Sequence, residues 1–122
     1  MQVHLARPDI TQAEIDVISE VMHPPILALG PWAMRFEQAI ASYVGVKHAI
    51  AVNSGTSGLH LLVRAFGIGE GDEVITTPFS FIASSNCIMY ERARPVFVDI
   101  DFSTANMDAS LIEDAITPHT KA

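Results

Sequence analysis

Cysteine is nearly absent from this chain: a lone Cys87 cannot close an internal disulfide, and no cysteine or histidine spacing suggests a zinc site. Charge is scarce as well, 17% of 122 residues against the usual quarter, and positive charge scarcer still, with 7 Lys and Arg facing 14 Asp and Glu. The resulting net charge of −7 argues against nucleic acid or an anionic membrane as the main partner. No apolar run approaches the roughly 20 residues that a membrane helix needs. The N-terminal stretch carries Arg7, Asp9, Glu14 and Asp16 where a signal core would be apolar. These absences lead us to expect a reduced, soluble, cytoplasmic protein. Repeats, low-complexity tracts and long linkers are missing too, so residues 1–122 read as part of one domain without an internal boundary. What the chain does have is apolar character, 49% of its residues. That surplus points to surface meant to be covered by further chain or by a partner subunit.

The apolar residues are ordered in an alternating way. Thr11-Gln12-Ala13-Glu14 has the form of a capping box and leads into Ile15, Val17, Ile18, Val21 and Met22, which predicts a helix to about His23. Pro24-Pro25 stops it. Trp32, Phe36, Ile40 and Tyr43 step by helical spacing, and Gly45 ends that helix. A strand is expected over 48–52, a helix over about 57–66, a glycine-rich turn, a strand over 73–77, a helix over about 80–91 and a strand over 95–98. Met107-Asp108 opens a last helix over Leu111, Ile112, Ala115 and Ile116, aimed at a further strand beyond the final residue. Strands separated by helices in this way predict an α/β fold with a mainly parallel sheet built from crossovers.

The most informative stretch is Ala49-Ile50-Ala51-Val52-Asn53-Ser54-Gly55-Thr56-Ser57-Gly58-Leu59-His60, where a β-branched run breaks into small hydroxyl residues and resumes as a helix. The first N–H groups of a helix lack intrahelical partners and lie at the positive end of its dipole, so a phosphate is a natural occupant. Gly55 permits close approach and the Thr56 and Ser57 hydroxyls add donors. The alternative is that these hydroxyls only cap the helix. Pro78-Phe79-Ser80-Phe81 likewise follows a strand, and ligands of doubly wound folds gather at strand carboxyl ends. Two such ends can share one cofactor, its phosphate at one and its ring at the other.

Three blocks, Gly45 to Ser57, Gly71 to Asn86 and Pro95 to Asp101, together resemble the pyridoxal-phosphate-dependent sugar aminotransferases of the DegT/DnrJ/EryC1/StrS family in order and spacing. Leu27-Ala28-Leu29-Gly30-Pro31 with Phe36-Glu37 upstream, and Ala115 to Ala122 downstream, extend the resemblance to essentially the whole chain. It implies the N-terminal part of the large domain of a fold-type-I transferase. It also implies transfer of an amino group, usually from glutamate, to a keto group on a nucleotide-linked sugar, in routes to polysaccharides or glycosylated metabolites. Pyridoxal 5'-phosphate would be held by Gly55, Thr56 and Ser57, with Phe81 stacked on its ring and Phe79 in the core. Without the resemblance, Phe81 reads as core and Phe79 as its competitor. The family further implies a homodimer with Gly30-Pro31 near the interface.

In that family the lysine that carries the cofactor and the aspartate facing the pyridine nitrogen lie beyond the stretch that this sequence matches. Lys47 and Lys121 are the lysines present, and neither has the matching context. No catalytic residue is therefore assigned here, and the isolated chain is expected to be inactive, an N-terminal fragment. A stand-alone binding or assembly module from a split gene is the alternative. The family also contains members acting on non-sugar ketones and a dehydratase branch. Gly58 departs from the alanine often found there, and a helical glycine costs roughly 0.5–1 kcal/mol against alanine. Gly67-Ile68-Gly69-Glu70-Gly71 follows a helix and precedes a strand, the reverse of a dinucleotide loop, and reads as a turn. Ser57 lacks the spacing of a nucleophile elbow. His60 reads as a helix residue with a satisfied ring, and Asp99 and Asp101 as a solvated strand end more than a metal pair.

Overall fold

Thr11 starts the first helix as its sequence suggests: its side chain accepts from the Ala13 N–H, and Glu14 reaches back to the Thr11 N–H at 2.6 Å. The computed structural model describes residues 6–23, 25–28 and 30–122. They fall into two units, Met1–Ala51 and Val52–Ala122, each described by itself. In the first, α1 spans Gln12–Met22 and α2 spans Pro31–Val44. Pro31 sits in the first turn of α2, where its missing N–H leaves nothing unpaired, and Gly45 closes the helix in the left-handed region at φ 77°. Gly30, the buried N-cap, is required for another reason: a Cβ there would lie 2.8 Å from the Ile26 carbonyl oxygen.

In the second unit α3 (Gly55–Ala65) is followed by β1 (Glu73–Thr76), α4 (Ala83–Tyr90), β2 (Arg94–Phe97) and a 3-10 turn, Ala109–Leu111, running into α5 (Ile112–Ala115). β1 and β2 pair in parallel, Glu73 beside Arg94 through Thr76 beside Phe97. The α4 crossover joining them packs on both strands and against α3. Ile68, Cys87, Ile88 and Ala93 form the centre of the core, with Val63 and Val74 packed against it. Gly67 and Gly71 adopt positive φ in the α3–β1 turn, which the Asp72 carboxylate braces by accepting from the Gly69 N–H at 3.0 Å.

Two sheet expectations are corrected. Residues 48–52 form no strand, because a strand exists only through a neighbour's hydrogen bonds, and among the described residues the Ala51 N–H goes instead to the Glu37 carboxylate at 2.8 Å. Conversely, a second partner of β1 lies within the chain. The Glu73 N–H donates to His119 O at 2.9 Å, Lys121 N–H to Glu73 O at 2.8 Å and Ile75 N–H to Ala122 O at 2.8 Å, so the last residues run parallel along the free side of β1. β1 is thereby central. The last helix is also shorter than its apolar spacing suggested, part of it being the tighter 3-10 turn capped by Asp108.

Candidate functional site

The residues expected to hold an anion share the first turn of α3. Ser54, in extended conformation, caps the helix by accepting from the Ser57 N–H at 3.1 Å, while the Ser57 hydroxyl donates to the Asn53 side-chain oxygen at 2.7 Å. The Ser54 and Ser57 hydroxyl oxygens are 3.0 Å apart. Among the described residues, the Gly55 and Thr56 N–H groups and the Thr56 hydroxyl have no hydrogen-bond partner. No described neighbour lies within 4 Å of where a Gly55 Cβ would stand, so a ligand can approach the backbone there. The turn thus combines both expected readings: Ser54 and Ser57 are occupied in capping, and Gly55 and Thr56 keep their donors free.

Phe81 lies in the bend after β1, just before α4, and is 76% exposed. It lines a cavity of about 330 Å³ together with Thr77, Ser80, Ile82, Ser84 and Phe97. Local bonds shape this bend: Thr77 Oγ1 accepts from the Phe79 N–H at 3.2 Å, the Ser80 and Ser84 hydroxyls lie 2.9 Å apart, and the Ser84 N–H donates to Phe81 O at 3.0 Å. An exposed aromatic face beside an open cavity fits a flat heteroaromatic ring, and free first-turn donors fit a phosphate. No described hydrogen bond or shared cavity wall links Phe81 to Gly55, Thr56 and Ser57. Phe79 is not in the core, as expected of it, but 65% exposed beside Pro78 and Ser80, because the bend turns both aromatics outward before α4 begins.

The remaining candidates are structural. His60 Nε2 meets Glu91 Oε1 at 2.6 Å, its ring edge-on to Tyr90 at 5.2 Å, and Arg64 reaches the same carboxylate at 3.4 Å. Asp101 accepts from the Ser103 hydroxyl and from the Thr104 and Ser103 N–H groups, which hold its carboxyl below the ordinary range and tie the loop after β2. Burial pushes the Cys87 thiol up, away from reactive thiolate. Asn53, Thr77, Ser80, Ser84 and Phe97 were not singled out beforehand. The sequence signal was there for some of them, since Asn53 and Ser57 have helical i, i+4 spacing and Thr77 and Ser80 follow the carboxyl end of a strand.

Comparison with known proteins bears on this geometry. The DegT/DnrJ/EryC1/StrS aminotransferase family model matches residues 8–122. The chain is 47% identical over 122 residues to GDP-perosamine synthase of Caulobacter vibrioides, covering 99% of this chain and 33% of that protein. It superposes on DesV of S. venezuelae with a TM-score of 0.84 at 40% identity, covering 89% of this chain and 30% of that one. Spr1654 of Streptococcus pneumoniae, solved in its PLP form, gives a TM-score of 0.92 at 34% identity over 98% of this chain and 31% of that one. The chain therefore spans about a third of the length of the relatives it matches.

Proposed function

The chain belongs to the DegT/DnrJ/EryC1/StrS aminotransferase family, and we propose that it is the cofactor-holding portion of a pyridoxal-phosphate-dependent aminotransferase. The amino donor is glutamate and the acceptor a nucleotide-linked keto-sugar, a reading supported by the likeness to a GDP-perosamine synthase and to a UDP-4-amino-4-deoxy-L-arabinose–oxoglutarate aminotransferase. The observation that carries it is the first turn of α3, where Gly55 and Thr56 keep two N–H groups and a hydroxyl free at the positive end of an 11-residue helix. Gly55 and Thr56 would hold the phosphate with their free donors, Ser57 beside them would join only by giving up its bonds to Ser54 and Asn53, and Phe81 would cover one face of the ring. When bound, pyridoxal phosphate supplies an electron sink for the amino-group chemistry. The residues of this chain bind and orient; proton transfer falls to a lysine outside the matched pattern, since neither Lys47, which follows α2, nor Lys121, in the segment beside β1, has the context of a cofactor-bearing lysine. Residues 1–122 form part of one cytoplasmic enzyme, active as a homodimer, with Gly30-Pro31 near the subunit interface.

Spectroscopic titration of the complete protein with pyridoxal phosphate tests this reading. Thr56→Val and Gly55→Ala are expected to weaken pyridoxal phosphate binding much more than binding of pyridoxal, which has no phosphate. Equal loss for both ligands would place the phosphate elsewhere. The 122-residue chain alone, incubated with pyridoxal phosphate and glutamate, is expected to form no pyridoxamine phosphate above the level of an unrelated protein. Turnover by this chain alone would refute the assignment of the lysine. An open reading frame continuing past Ala122 into an acidic residue and a lysine supports the enzyme, and a genuine stop supports a stand-alone module.

A further inference from the structure

Glu73 is a buried charged residue that the cofactor site does not use, with 6% of its surface exposed. It sits at the first position of the central strand, where one carboxylate oxygen accepts from the Arg94 guanidinium, its register partner on β2. The other accepts from the Thr117 hydroxyl at 2.7 Å. The backbone of the same residue is paired on its free side with the terminal segment, donating to His119 O and accepting from the Lys121 N–H. Thr117 and Thr120 in turn brace the bend leading into that segment, the Thr117 N–H donating to Thr120 Oγ1 at 2.9 Å. One side chain therefore touches both neighbours of β1 at the end where the terminal ladder begins.

We propose that the Glu73 carboxylate is an acid-released clasp that holds residues 117–122 in the sheet beside β1 and so sets the strand order. A four-residue ladder has few hydrogen bonds of its own, each of modest net worth, so an extra side-chain tie decides whether the segment stays docked. The clasp needs the charge, because an ionised acceptor bonds roughly twice as strongly as a neutral one and because a neutral carboxyl leaves Arg94 without its ion pair. The charged and titratable groups facing Glu73 are Arg94 from β2 and His119 from the terminal segment; α4, which packs on both strands, gives the carboxylate no partner among the described residues. The Thr117 and Arg94 hydrogen bonds hold the Glu73 carboxyl below its ordinary value of 4.5. Its stabilisation is thus complete above 4.5 and is lost as pH falls through the depressed folded value.

Residue-resolved amide exchange on the complete protein, corrected for intrinsic rates, reads the clasp directly. The Lys121 and Ile75 amides report the terminal ladder, and the Val98 amide, bonded to Thr76 O, reports the opposite side of β1. Between pH 6 and pH 3 the first two are expected to lose about tenfold or more in protection and Val98 less than about threefold. In Glu73→Gln, protection of Lys121 should be low already at pH 6 and flat with pH. Thr117→Val, which keeps Arg94 paired, should lower Lys121 protection about threefold and serves if the glutamine variant does not fold. An unchanged pH profile in Glu73→Gln, wild-type protection of Lys121 in Thr117→Val, equal loss at Val98, or an unprotected Lys121 amide in the wild type at pH 6 would each overturn the proposal.

Discussion

At the scale of single residues, Phe79 and Phe81 are two positions apart and both exposed, yet only Phe81 lines the cavity with Ser84 and Phe97. Stacking contributes about 0.5–1.5 kcal/mol beyond area burial. In the complete protein Phe81→Ala is therefore expected to weaken pyridoxal phosphate retention about three- to tenfold by equilibrium titration, with Phe81→Trp largely preserving it. Phe79→Ala, an exposed substitution, should leave cofactor affinity unchanged and shift the stability of the 122-residue chain by no more than about 0.5 kcal/mol in chemical denaturation. Reversal of the two outcomes would exchange their roles. Both aromatics were visible in the sequence; which of them shares a cavity with Phe97 depends on the Thr77 and Ser84 bonds that set the bend.

At the scale of elements, local chemistry and packing make separable contributions. The Thr11 hydroxyl and N–H hold the Glu14 carboxyl below its ordinary 4.5, so the capping interaction is fully present above that value and fades as pH falls through the lower folded value. The N-terminal turn of α1 should therefore fray in acid, seen as a loss of helical carbon shifts at residues 12–15, and Thr11→Ala, which removes the hydroxyl but keeps the backbone N–H bond to Glu14, should weaken that pH dependence. Gly45→Ala forces a side chain into the left-handed C-cap of α2 and is expected to cost about 1 kcal/mol. Ile88, 1% exposed in α4, is the most buried large side chain among the described residues, and Ile88→Ala should cost about 2–5 kcal/mol in denaturant unfolding. A smaller loss would mean that the core collapses around the gap.

At the scale of the whole chain, the apolar surplus is left largely uncovered. Ile18 and Met22 of α1, Phe36 of α2, and Leu62 and Phe66 at the end of α3 are more than half exposed. Monomeric proteins rarely present so much apolar surface, and it drives association. The 122-residue chain is expected to be a dimer or larger, or to precipitate, in light scattering across a dilution series. A well-behaved monomer at all concentrations would show that these faces tolerate water.

The sequence alone determined what depends on neighbours in the chain: the capping box at Thr11, the stop at Gly45, the glycine turn before β1, and the small, hydroxyl-rich first turn of α3 at Gly55 to Ser57. Each follows from torsional preference or from an orphaned backbone group a few residues away, so spacing suffices to read it. Family likeness was legible for the same reason, being carried by ordered local blocks. Tertiary structure decided what depends on distant partners. The β-branched run at 48–52 has the composition of a strand but no ladder neighbour among the described residues, whereas His119 to Ala122, polar and short, becomes one because β1 presents an open row of donors and acceptors beside it. Glu73 is the clearest case: an acidic residue in a short strand reads as solvated until Arg94, 21 positions away, and Thr117, 44 positions away, converge on its carboxylate.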